Sequence, residues 1–114
     1  MKNSLFLKRA CLAVLFVLFA CAAMAQTFTV DDLNYSVNAD GVSVTLTGHV
    51  DGYNATGPLN IPESVNYGGN DYAVTNIGNS AFLYYFYLTS LTIPNSVTTI
   101  EDGAFAYCSG FTSL

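Results

Sequence analysis

Apolar side chains recur at every second residue across much of the stretch from Phe28 to Val50. Leu33, Tyr35 and Val37 alternate with polar neighbours, Asn38-Ala39-Asp40-Gly41 supplies turn residues, and Val42, Val44 and Leu46 alternate again. A period of two places one row of side chains on one face of a strand, so this segment predicts an antiparallel β-hairpin. Past a loop from Asp51 to Pro58, marked by two glycines, Asn54 and a proline, the alternation gives way to a longer period. Ile77, Ala81, Phe82, Tyr84, Thr89, Ser90 and Leu91 return 23 residues later as Ile100, Ala104, Phe105, Tyr107, Thr112, Ser113 and Leu114, with Leu88 answered by Phe111. Self-similarity at a fixed spacing of this size is the mark of a repeat architecture, in which each copy buries its apolar face against the next.

A further, degenerate copy lies upstream. Leu59, Ile61, Pro62, Ser64 and Val65 match Leu91, Ile93, Pro94, Ser96 and Val97 at an offset of 32, nine residues more than the main period. The surplus falls between Val65 and Ile77 and contains Tyr67-Gly68-Gly69-Asn70-Asp71-Tyr72, a turn signal between two short apolar runs. The first copy is therefore expected to carry a β-hairpin where the second has a tight turn. Within each copy, Leu88, Leu91 and Ile93 are expected to point inward along a short strand ended by Pro94, which has no N–H for a ladder. Val97 to Ile100 predicts a second short strand or turn on the opposite side. Glu101-Asp102-Gly103 leads into a single helical or 3₁₀ turn at Ala104-Phe105, and no segment of the mature chain has the sustained 3.6-residue period of a long helix.

The period lies in the range of leucine-rich solenoids, about 20–29 residues. The expected fold is a β-rich leucine-rich-repeat solenoid, a partial array over residues 59–114, preceded by a β-hairpin cap and linker over residues 26–58. Pairing of that hairpin with the first copy would cover an otherwise bare core and unpaired strand edges. Leu114 falls at an inward strand position with no polar cap after it, which predicts that the array continues in a longer parent.

Residues 1–25 read as a signal peptide, with Lys2, Lys8 and Arg9 before the apolar run Ala10 to Ala22 and small residues at Ala23-Met24-Ala25. Cleavage before Gln26 and export follow. A second reading treats Leu18-Phe19-Ala20-Cys21 as a lipobox anchoring the protein at Cys21, but Phe19 is bulky for that motif and the Ala-x-Ala site follows at once. All 3 basic residues lie in this leader, so the mature chain has 8 carboxylates and neither Lys nor Arg. Such a chain cannot neutralise phosphates, which excludes nucleic acid and anionic lipid surfaces as partners.

The spaced residues from Leu91 to Leu114, in the pattern Leu-x-Ile-Pro-x-Ser-Val-x-x-Ile-x-x-x-Ala-Phe-x-x-Cys-x-x-Phe/Leu-x-x-Leu, closely resemble the BspA-like, or treponemal-type, leucine-rich repeats of bacterial surface proteins. The resemblance covers Leu59 to Leu114, and the hairpin insertion is also similar to members of that family. It implies a curved β-rich solenoid, secreted or displayed at the cell surface, in some members adhesive toward host extracellular proteins or other cells, and it implies no catalytic residues. The chain departs from the pattern between Phe82 and Leu88. Such repeats are usually small and polar there, with Cys at the position of Tyr85, whereas this chain has Leu83-Tyr84-Tyr85-Phe86-Tyr87.

That aromatic run is the main candidate surface: Tyr84, Tyr85, Phe86 and Tyr87 combine large contact area with low entropic cost, and tyrosine faces stack on sugars. The competing reading packs these rings into the core or into the space left by the missing Cys. Alternation places Asn60, Ser90, Thr92 and Ser113 on the concave strand face, where small polar groups suit many ligands. Cys108 occupies the inward cysteine position of the repeat and reads as a buried thiol, and His49 has no sequence spacing that ties it to Cys108 as a base. Asp40-Gly41, Asp51-Gly52 and Asp102-Gly103 are turn chemistry. Asp31-Asp32 reads as a solvated strand edge rather than a calcium site. With no catalytic constellation, metal cluster or cofactor motif, the sequence predicts a non-catalytic interaction module for an extracellular protein, with glycan binding and a purely structural spacer as the alternatives.

Overall fold

The computed structural model describes residues 26–111. The signal-peptide and lipobox readings, together with Ser113 and Leu114, lie outside the described residues. Strands dominate: β1 (Thr27–Val30), β2 (Leu33–Val37), β3 (Ser43–His49), β4 (Gly57–Asn60), β5 (Ser64–Tyr67), β6 (Asn70–Ile77), β7 (Leu88–Thr92) and β8 (Thr99–Ile100). A single short 3₁₀ turn, Gly52–Asn54, is the only assigned helical element among the described residues.

The amino-terminal segment is a three-stranded meander rather than the expected two-stranded hairpin. β1 pairs antiparallel with β2, and β2 with β3. Asp31 and Asp32 form the two-residue connection between β1 and β2, with φ of 50° and 69°, so they are a tight turn and not a strand edge. Two successive left-handed residues match the twist of the flanking strands, and Asp tolerates that conformation better than most side chains. The predicted turn at Asn38 to Gly41 is present, but Val42 is 65% exposed and drops out of the inward row. Its N–H goes to the Asp40 carboxylate at 2.9 Å, which holds it in the turn ahead of the strand.

Polar bonds tie this turn to the rest of the sheet. The Asp40 carboxylate also accepts the Ser43 N–H at 3.0 Å and the Ser43 hydroxyl at 2.8 Å. Asn38 donates to the Ser43 hydroxyl at 2.8 Å and to the Thr75 hydroxyl at 3.3 Å, and it accepts from Thr45 at 2.6 Å. The bonds from Val42 and Ser43 hold the Asp40 carboxyl below its ordinary value. A carboxylate lowered in the folded state stabilises above its unfolded pKa, and that contribution disappears as pH falls through the folded value. Asp40→Ala is therefore expected to lower the melting temperature at pH 7, with the gap from the parent closing as pH drops below about 3.9. A pH series of thermal melts checks this, and a gap independent of pH would refute it.

β3 continues into the repeats by parallel pairing. Leu46 lies opposite Ile77 in β6, and Ile77 lies opposite Ile100 in β8. β5 and β8 pair with successive parts of β6, while β3 takes the other edge. The inserted segment forms the expected hairpin, β5 to β6, around Gly68 and Gly69 with φ of 62° and 86°, values a side chain would strain. Its tip packs back on the meander, Tyr67 stacking on Phe28 at 4.3 Å between ring centres and 2° between planes. On the other side of the chain β4 and β7 make a separate two-stranded parallel sheet, with Leu59 opposite Leu91 and Asn60 opposite Thr92. β4 begins at Gly57, two residues ahead of the expected start of the repeats. Both sheets are open.

Between the ladders each copy runs through hydrogen-bonded turns, not a helix. Phe82 N–H donates to the Ala104 carbonyl at 2.7 Å, flanked by Ser80 to Asp102 and Tyr84 to Ala106, both at 3.0 Å. The first copy thus hangs its turn directly on the second, with Ala81 and Ala104 both buried where the backbones meet. Within a copy, bonds such as Ala104 N–H to the Glu101 carbonyl and Ala106 N–H to the Gly103 carbonyl close four-residue turns. These agree with the expected 3₁₀ geometry at Ala104-Phe105, although left-handed residues at Gly103 and Tyr107 stop it from propagating.

Burial follows position in the stack. Leu46, Val44, Val74, Ile77 and Phe82 are 0% exposed, and Leu59 and Ile61 are 5% exposed. Their second-copy counterparts are more open, with Ile93 at 38% and Ile100 at 50%. Ile93, the counterpart of the buried Ile61, is more open because, among the described residues, no further strand covers the second copy as β7 covers the first. No helix of the described residues is long and apolar enough to cross a membrane.

Candidate functional site: an aromatic edge on the turn side

The run from Leu83 to Tyr87 splits between core and surface. Tyr85 is buried and correspondingly leaves the candidate surface. Its ring meets Phe82 edge-on at 5.0 Å, and its hydroxyl accepts the His49 N–H at 3.1 Å. Tyr85 occupies the place that Cys108 takes in the second copy, so the larger side chain fills the inward position and reaches the meander. Burial at the cysteine position, rather than exposure at a turn, is the reason the expectation fails for this residue.

The remaining rings form the edge. Tyr84 is 47% exposed, Phe86 43% and Tyr87 56%, and they are joined by Tyr107 at 68%. Tyr84 and Tyr107 stack at 5.0 Å between centres with 19° between planes, and Phe86 leans on Tyr84 at 5.9 Å. Both stacked tyrosines have left-handed backbones, φ of 66° and 60°. An L side chain pays roughly 1–2 kcal/mol for that conformation, and the repeat imposes it twice, 23 residues apart, with the result that equivalent rings line up in register. Tyr107 is the member that the run-based reading missed. The signal for it was present, since it is the 23-residue counterpart of Tyr84.

The strand-face candidates are partly assembled. Asn60 and Thr92 are register partners on β4 and β7, and both are exposed. Ser90 is half-buried beside Pro58. Ser113 lies outside the described residues. This strip is on the β4–β7 sheet, and the aromatic rings are on the turns that follow β6 and β8, so the two sets are separate features.

The chemically reactive side chains have structural surroundings. The Cys108 thiol lies 3.0 Å from the Phe82 carbonyl, to which it donates, and burial pushes its pKa up. A thiol held protonated is a poor nucleophile. His49 accepts the Asp51 N–H on Nδ1 at 3.0 Å. Among the described residues, no three His, Cys, Asp or Glu side chains come together in a group able to hold a metal ion.

Comparison with known proteins accords with this architecture. Residues 59–114 match the family model of the BspA type leucine rich repeat region, described as six copies. Among solved structures, a leucine-rich repeat protein from Bacteroides ovatus aligns at 31% identity and a TM-score of 0.69 over 75% of this chain and 22% of its own. One from Bacteroides capillosus aligns at 32% identity and a TM-score of 0.65 over 76% of this chain and 62% of its own. A leucine rich cell surface protein from Faecalibacterium prausnitzii aligns at 26% identity and a TM-score of 0.58, with 78% and 30% coverage respectively. The chain thus spans less than two thirds of each of these neighbours. No curated protein matches it. Over residues 59–114, the chain belongs to the BspA-type leucine-rich repeat family.

Proposed function

We propose that this chain is a non-catalytic, exported leucine-rich-repeat module that binds an extracellular protein through its aromatic edge, with the β4–β7 strip as a secondary contact. The observation that carries the reading is the Tyr84–Tyr107 stack, an exposed aromatic surface built from equivalent positions of two copies. Aromatic side chains are enriched at recognition surfaces, and stacked rings are already ordered before a partner arrives. The proposed architecture is a solenoid, with the β1–β3 meander as its cap. It is supported by the parallel column Leu46–Ile77–Ile100, in which β3 stands where an earlier copy would place its strand. Export is inferred from the leader, and surface display from the family. A chain with 8 carboxylates and no mature cation favours a neutral or basic partner.

Glycan binding is the second reading, favoured by the near-parallel planes of Tyr84 and Tyr107, since flat rings of this kind stack on sugars. One experiment separates the two. The exported chain and its Tyr84→Ala/Tyr107→Ala variant are applied to an extracellular-matrix protein panel and to a glycan array. Protein binding that the variant weakens by roughly tenfold or more, a hot-spot effect, supports the proposal. Sugar binding lost in the variant supports the second reading. Protein binding unchanged in the variant removes the aromatic edge as the site.

A further inference from the structure

A second concave feature lies at the amino-terminal end, away from the aromatic edge. It is a cleft of about 350 Å³ between the meander and the first copy. Asp31 of the β1–β2 turn, Leu33 and Tyr35 of β2, Asn60 of β4, and Ser64 and Val65 of β5 line it. Leu33 and Val65 are buried and give it an apolar floor, whereas Asp31, Asn60 and Ser64 form an exposed polar rim.

Tyr35 is the unusual member. It is 1% exposed, and its hydroxyl is buried with no hydrogen-bond partner among the protein groups. Buried hydroxyls in folded proteins are nearly always paired, because leaving one unpaired costs free energy that folding does not recover. Burial and the nearby Asp31 carboxylate together push its pKa up to about 12, so it is a neutral O–H that can both donate and accept. Phenylalanine would fill the same space without the penalty. Tyr35 lines the cleft while its hydroxyl is buried and unpaired, which makes it an incomplete hydrogen-bonding group beside the cleft.

We infer that this cleft binds a neutral sugar ring. Tyr35, Ser64 and Asn60 each offer a donor and an acceptor, which is the capacity that sugar hydroxyls match. Leu33 and Val65 provide a floor for the C–H face of a pyranose. The volume sits at the small end of ligand sites, about 300–1,000 Å³, which suits one or two rings and not an extended polymer. An isolated ammonium group would use only the acceptors and leave the Asn60 amide and the two hydroxyl protons unspent. An acidic sugar would meet Asp31 with no Lys or Arg among the described residues to offset it. Because the Tyr35 hydroxyl is itself buried, the inference requires a bound ring to displace part of the exposed rim of Asp31, Asn60 and Ser64 to reach it. This site is separate from the aromatic edge, and it shares Asn60 with the β4–β7 strip proposed above as a secondary contact.

The test is protein-observed NMR on the full chain recovered after export, titrated with methyl glycosides of glucose, galactose, mannose and N-acetylglucosamine, and separately with glucuronate and lysine amide. At least one neutral glycoside is expected to shift the amides of Leu33, Tyr35, Asn60 and Ser64. Glucuronate is expected to leave them unmoved. Tyr35→Phe, which keeps the ring, is expected to weaken binding about tenfold, the scale of one lost hydrogen bond. Asn60→Ala is expected to weaken it similarly, and Tyr84→Ala to leave it unchanged. The inference is overturned if no neutral glycoside moves these amides, if Tyr35→Phe binds as tightly as the parent, or if lysine amide alone binds there. Loss of binding in Tyr84→Ala with Tyr35→Phe unaffected would also overturn it, placing the sugar on the aromatic edge.

Discussion

Replacing Phe82 with Ala is expected to unfold most of the described chain at physiological temperature. Phe82 is fully buried, stacks on Phe105 at 5.3 Å and 4°, and holds Tyr85 edge-on at 5.0 Å. Its N–H and carbonyl also bind the second copy, through Ala104 and Cys108. Removing a core aromatic side chain costs about 3–5 kcal/mol. Domains of this kind retain roughly 0.05–0.15 kcal/mol per residue, so the loss consumes much of the total. The expected result is a large fall in the denaturant midpoint followed by circular dichroism, with Phe82→Leu recovering most of it. A midpoint within a few tenths molar of the parent would show that the ring is not the pin between copies.

Gly110→Ala is expected to act more locally and nearly as strongly. A Cβ at this position would collide with the carbonyl oxygen of Phe86 and lie 2.8 Å from that of Leu88. Both are backbone atoms of the preceding copy, so no side-chain rotation relieves the clash. The cost is expected at the top of the overpacking range or above, about 3 kcal/mol. Because each copy is stabilised mainly by its neighbours, the damage should stop at the boundary. Hydrogen exchange is expected to speed at Phe82 and Tyr84, whose N–H groups bind carbonyls of the second copy. The Val44 and Leu46 amides, deep in the meander, should stay protected. Uniform acceleration across the chain would contradict this nearest-neighbour picture, and so would no acceleration at all.

Much of the fold was legible because its signals are local or periodic. The 23-residue recurrence exposed the copies, the Gly68-Gly69 turn exposed the inserted hairpin, and alternation around Tyr35 and Leu46 exposed two of the three meander strands. β1 was harder to see. Its four residues include only two apolar positions, and the turn that defines it is made by a pair of aspartates whose left-handed backbone has no strong sequence mark. Tyr85 illustrates a different limit. Neighbouring tyrosines in one run go to opposite sides of the backbone, and composition does not say which. The alignment of Tyr85 with Cys108 did carry that information, since inward positions stay inward from copy to copy. The amino-terminal cleft was illegible for a third reason. Asp31, Tyr35, Asn60 and Ser64 belong to different strands and turns, brought together by long-range packing such as the β3–β6 pairing and the Tyr67–Phe28 stack.

The inserted hairpin has a further role in the arrangement of the chain. A sequence that resembles itself at a fixed spacing can pair with the wrong copy at modest energetic loss, because Leu59 and Leu91, or Ile77 and Ile100, present similar surfaces to a searching strand. The β5–β6 arm breaks that equivalence. Among the described residues it occurs in one copy only, and Tyr67 at its tip finds a flat partner in Phe28 of the meander. A strand set one copy out of place would leave that tip without its partner. The arm thereby acts as an index mark that numbers the first copy, so that the order of stacking is fixed from one end.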